Sequence, residues 1–203
     1  MNTTVVDADP PASAGGSGRA AGWTKETFGP DSGRRVLFAL ESVPLAVGGL
    51  GEAMMGHHRE AADRQRRLAG RLLGMPFDAQ PGGDRWARVF GHAILSLPLG
   101  VLGWIILALM VPNSLRNLAY PFFAGDYSHS WGGPTLAGAW AVHAGLVLVM
   151  LPGWIWLLRG LTHLQGALAG RVLGGSTQNW TLAVAVVAAA AGMIILRALI
   201  HQL

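Results

Sequence analysis

The run Val89 to Val111, VFGHAILSLPLGVLGWIILALMV, contains no Asp, Glu, Lys or Arg. As a helix it is long enough to cross the roughly 30 Å hydrocarbon layer of a bilayer. Lipid offers no partner to a backbone N–H or C=O, so a segment of this kind must satisfy its hydrogen bonds within itself. The chain is therefore read as a membrane protein, and the other segments are placed relative to this span. Composition agrees: 51% of residues are apolar and only 13% charged, with a mean hydropathy of +0.38. That is more apolar surface than a soluble domain of this size buries. There is no cysteine, which removes disulfides, thiolate chemistry and Cys-based metal sites.

Residues 1–33 are rich in Ala, Gly, Ser, Thr, Pro and Asp and are expected to be a disordered tail without a signal-peptide core. Residues 34–203 are expected to form an all-α polytopic membrane helix bundle. Spans at 89–111, 135–158 and 181–200 are defined by composition alone. A fourth, 36–56, is interrupted by Glu41, Pro44, Glu52 and the Gly48, Gly49, Gly51 cluster. Two amphipathic segments, 57–74 and 159–174, are expected on the cytoplasmic side. In the first, Arg64, Arg67 and Arg71 share a helix face and Leu68 and Leu72 another. Glu60/Arg64 and Asp63/Arg67 have the spacing of helical ion pairs. This arginine face is expected to contact anionic lipid headgroups rather than nucleic acid.

Two short sequences recur. Ser42-Val-Pro-Leu-Ala-Val-Gly-Gly49 parallels Ser96-Leu-Pro-Leu-Gly-Val-Leu-Gly103, and Leu68-Ala-Gly-Arg-Leu-Leu-Gly74 parallels Leu168-Ala-Gly-Arg-Val-Leu-Gly174. They suggest a duplication in which the first unit is a shortened copy with room for one span instead of two. Arginine sets the orientation: seven lie between His57 and Arg88 but only Arg116 lies between Pro112 and Pro134. The former segment is therefore expected inside and the latter outside. With four spans, both termini fall outside; a re-entrant or surface-lying 36–56 segment gives three spans and leaves the N-terminus inside.

Chemistry is sparsely represented. His92 and His143 are expected roughly 10 Å or more apart along the membrane normal, too far to share a metal, and each is read as a buried, hydrogen-bonded residue. Adjacent His57 and His58 point to different faces. No serine sits in a strand-to-helix glycine elbow, and the glycines lack the strand context of a nucleotide loop. No catalytic residue, cofactor or metal is assigned. The Pro112 to Pro134 loop is the only sizeable outer connection. Its candidate recognition residues are Tyr120, Asp126, Tyr127, His129 and Trp131, with an interfacial-anchor role open for Tyr120, Phe122 and Trp131.

The Ser96-Leu-Pro-Leu-Gly run, the Trp131-Gly-Gly-Pro-Thr-Leu-Ala-Gly-Ala-Trp140 stretch and the Leu168-Ala-Gly-Arg-Val-Leu-Gly174 run together resemble a membrane sensor domain. It is the domain that precedes histidine kinases in actinobacteria, and the likeness covers Val36 to Gly174. In that family the domain is a set of membrane helices with paired hairpins, followed by a cytoplasmic kinase. Here the first hairpin is compressed, and another apolar span follows Gly174 where the kinase would begin. The resemblance thus implies a non-enzymatic, sensor-like module of the plasma membrane that acts through a membrane or cytoplasmic signalling partner. The alternative is an accessory subunit of a transporter or respiratory complex.

Overall fold

A computed structural model describes residues 27–75, 77, 84–123, 125–174 and 180–201. Every regular element among them is a helix: α1 (Pro30–Met54), α2 (His58–Leu73), α3 (Trp86–Leu118), α4 (Tyr120–Phe123), α5 (Leu136–Val172) and α6 (Trp180–Ile200). Four of these, α1, α3, α5 and α6, are long and apolar enough to cross a membrane. The chain is thus a helical, multi-pass membrane protein.

Local signals explain the helix ends. Pro30 occupies the first turn of α1, where its missing N–H is not needed, and Asp31 complements the helix dipole there. The helix consequently starts inside the segment expected to be tail; residues 1–26 lie outside the described part of the chain. Gly56, at φ 86°, makes the tight reversal into α2, and Gly74, at φ 66°, ends α2 in the left-handed conformation that favours glycine. Thr135 caps α5 by accepting the Gly138 N–H. Pro44, Pro98, Pro112 and Pro152 all lie inside helices that continue through them.

The longest helices exceed the expected spans. α3 has 33 residues and α5 has 37, lengths of about 50 and 55 Å at 1.5 Å per residue. α5 combines the expected span at 135–158 with the amphipathic segment 159–174. α3 passes Pro112 and runs on to Leu118, so the connection that follows it is shorter than the sequence suggested.

α2 departs most from expectation. It folds back along α1: Gly49 faces Gln65 and Glu52 pairs with Arg64, while the end of α2 at Leu72, Leu73 and Gly74 reaches Asp31, Arg34 and Arg35 at the start of α1. Its buried face is Ala61, Ala62, Gln65 and Ala69, whereas Leu68 and Leu72 are only half-buried. Small side chains let the two backbones approach closely, which a leucine stripe would prevent. The first unit is therefore also a hairpin of two helices, with its turn compressed to residues 55–57. The expected ion pairs are replaced as well. Arg64 bonds to Glu52 of α1, and Asp63 pairs with Arg66 at 2.9 Å. Packing rotates α2 so that tertiary partners displace the helical ones.

α3 is the central element and runs antiparallel to α1. Ala53 and Val89 share a cluster with Ala61, Ala62 and Leu173 at one end, and Trp86 donates its indole N–H to the Ala53 carbonyl at 2.8 Å. At the other end Ala39 and Gly103 touch. The main core is formed by Leu99, Ile106, Leu107 and Met110 of α3 with Leu158, Leu161, Leu164 and Leu168 of α5, and it is closed by Ala185 and Ala189 of α6.

Candidate functional site

Beyond α3, the chain turns at Ala119 into α4, and the loop then returns to Thr135. Tyr120 holds this connection against α5: its ring stacks on His143, with centroids 3.7 Å apart and planes 10° from parallel. The Tyr120 hydroxyl is 2.7 Å from the Ser130 hydroxyl, which ties the far side of the loop to the same point. Tyr127 donates its hydroxyl to the Pro121 carbonyl at 3.1 Å. Trp140 of α5 donates its indole N–H to the Leu118 carbonyl at the end of α3. Asp126 closes a local turn, accepting from the Ser128 N–H at 2.9 Å and the Ser128 hydroxyl at 2.8 Å. Hydrogen bonds to the ionised form, from the Ser128 N–H first, hold the Asp126 carboxyl below the usual carboxylate range.

These ties shape an open cleft of about 500 Å³ lined by Tyr120, Asp126, His129, Ser130, Trp131 and His143. Four of the five expected recognition residues are brought together there. Tyr127 is the exception and braces the loop instead. Trp131 is 73% exposed at the rim.

His143 is the residue that sequence reasoning misplaced. It was read as a buried residue of the span, yet it is half-buried and forms part of the loop cluster. The missed signal was its position two turns after the Thr135 cap, which leaves it near the level of the loop. Its Nδ1 lies 2.8 Å from the Ala139 carbonyl oxygen, so this nitrogen carries a proton and donates. In the neutral ring, Nε2 is then the accepting nitrogen. The cleft accordingly offers a carboxylate, two imidazoles and two hydroxyls beside two aromatic faces. Among the described residues, no three His, Asp or Glu side chains converge to hold a metal ion.

The arginine face of α2 is only partly free. Arg67 and Arg71 are exposed, but Arg64 is committed to Glu52. Arg66, which the sequence reading did not select, is the best-anchored arginine of the helix. Its guanidinium bonds to Asp63 and to the Leu173 carbonyl, the latter at 2.9 Å. His92 is buried, as expected, with its ring 3.3 Å from the Ser96 hydroxyl.

No family model, curated protein or solved structure matches this chain. Any functional reading therefore rests on the residues and their geometry.

Proposed function

We propose that this chain is a non-enzymatic, sensor-like membrane module that recognises a ligand or a partner's exposed segment at the outer cleft and acts through an associated membrane or signalling protein. The observation that carries the proposal is the stack of Tyr120 on His143. It ties the cleft directly to α5, a single helix that runs from the loop to the opposite end of the bundle, where Leu173 meets Arg66 of α2. A ligand that hydrogen-bonds to Asp126 or His129 and packs on Trp131 presses on the stack, and α5 is the element able to carry that displacement across the bundle. The cleft suits a hydrogen-bonding molecule with an apolar or cationic part, because an aromatic face and a carboxylate line it together. Arg67 and Arg71 supply a second contact, to anionic lipid headgroups, each worth on the order of 1 kcal/mol near such a surface.

The test is purification of the full chain in mild detergent, with and without replacement of Asp126, Tyr127 and His129 by alanine. The expected result is loss of the co-purifying partner with helix content unchanged. An unchanged set of co-purifying proteins would remove the loop from recognition. Permease or oxidase subunits in place of a kinase or regulator would favour the accessory-subunit reading, for which the exposed apolar face of α6, including Val187 and Ile194, is the available surface.

A further inference from the structure

The two halves of this chain meet as inverted copies. Matching Ser42 with Ser96 and Leu68 with Leu168 carries Ala39 onto Ala93, Gly49 onto Gly103, Arg66 onto Gly166 and Leu73 onto Leu173. Contacts repeat under this exchange. A methyl at Gly103 would sit 3.6 Å from the Ala39 Cβ, and a methyl at Gly49 would sit 3.8 Å from the Ala93 Cβ. Arg66 bonds to the Leu173 carbonyl, and its counterpart Gly166 packs on Leu73. Because α1 and α3 are antiparallel, the axis relating the halves lies perpendicular to the helices.

An internal cavity sits on that axis. Its polar walls come in matched pairs, Ser42 with Ser96 and Gln65 with Gln165, and His92 stands where the other half has Phe38. Gln65 is only 2% exposed, yet neither its amide nitrogen nor its amide oxygen has a hydrogen-bond partner among the described residues. A buried amide of this kind calls for a ligand that both donates and accepts. The space open to the centre of a water molecule is about 20 Å³, which suits one or two molecules of that size. No Asp, Glu, Lys or Arg lines the cavity, so an ion there would lack a counter-charge. Sites between inverted repeats are also where membrane proteins of that architecture hold small polar species.

We propose that this cavity is a binding site for a neutral, water-sized hydrogen-bonding molecule, with water as its resident, shared between the two inverted halves by Gln65, Gln165, Ser96 and His92. The pairing of Gln65 with Gln165 gives each half one amide, so the ligand bridges the two halves.

The experiment is water-edited solid-state NMR of the full chain in lipid bilayers, with glutamine side chains labelled with nitrogen-15. The amide signals are assigned by Gln65→Met and Gln165→Met, or by backbone correlation in the unmodified protein should either variant fail to fold. The expected result is early transfer of water magnetisation to the Gln65 and Gln165 amides. Amides that stay dark at short mixing times would show a dry cavity and overturn the proposal. A Gln65 signal that moves when chloride is exchanged for a non-coordinating anion would identify a halide site and overturn it equally.

Discussion

Gly100 offers a quantitative test of the packing between the two halves. A Cβ built there would lie 2.9 Å from the Ser42 hydroxyl, 3.0 Å from a Val43 methyl and 3.2 Å from the Val43 backbone nitrogen. A side chain can rotate away, but the Val43 nitrogen cannot move unless α1 moves with it. Gly100→Ala should therefore cost about 1–3 kcal/mol in overpacking, offset by about 0.5–1 kcal/mol from replacing glycine inside a helix. Gly160 of α5 is the control, because nothing lies within 4 Å of its hypothetical Cβ. Gly160→Ala should gain the helical term alone. The difference between the two variants isolates the contact and should be about 1–3 kcal/mol, with Gly100→Ala the less stable. The assay is reversible unfolding in detergent micelles or bicelles, run on both variants under identical conditions. If Gly100→Ala proved as stable as Gly160→Ala, the close approach of α1 to α3 at Gly100 would be wrong.

Other consequences are read more simply. The folded-state pKa of Asp126 is depressed, so its contribution to the loop turn is full above the ordinary carboxylate value of about 4 and is lost as pH falls through the lower folded value. Exchange of the Ser128 amide, corrected for the intrinsic rate, should rise in that acidic window, and Asp126→Asn should abolish the pH dependence. Tyr120→Phe removes one hydrogen bond to Ser130 and should cost about 0.5–1.5 kcal/mol, while Tyr120→Leu also loses the His143 stack and should cost about as much again. A cycle with Ser130→Ala measures the first term, and zero coupling would refute it. Arg66→Met should destabilise by about 1–3 kcal/mol through the lost charged hydrogen bonds, whereas exposed Arg67→Gln should stay within about 0.5 kcal/mol. Equal effects on unfolding would contradict the anchoring role given to Arg66. Replacing Arg67 and Arg71 together by glutamine should lower retention of anionic lipid in native mass spectrometry, and unchanged retention would remove the headgroup contact.

The helical class and the four apolar segments were legible because hydropathy over a window of about twenty residues is a property of composition alone. The expected segment bounds at 56 and 74 coincide with Gly56 and Gly74, whose positive φ marks the turns there. Helix extent through proline was less legible. Pro112 marks the expected end of the span, yet α3 continues six residues beyond it, to Leu118, because neighbouring helices can re-satisfy the few backbone groups a proline frees.

The orientation of α2 and the composition of the cleft at Tyr120 were settled elsewhere. Arg64 has two acidic candidates, Glu60 on its own helix and Glu52 on α1, and local spacing favours the first. The actual choice follows from how α2 rotates to bury Ala61, Ala62 and Ala69 against α1. His143 joins the cleft only because Tyr120 comes back over it from the end of α3. Both depend on contacts between residues distant in the chain, which no local pattern encodes. The sequence by itself determined which segments are apolar helices, where they turn and that two motifs recur. That the recurring motifs face each other across an antiparallel axis, with Gln65 and Gln165 meeting in one cavity, was decided by tertiary structure, because only close packing of small residues brings those backbones together.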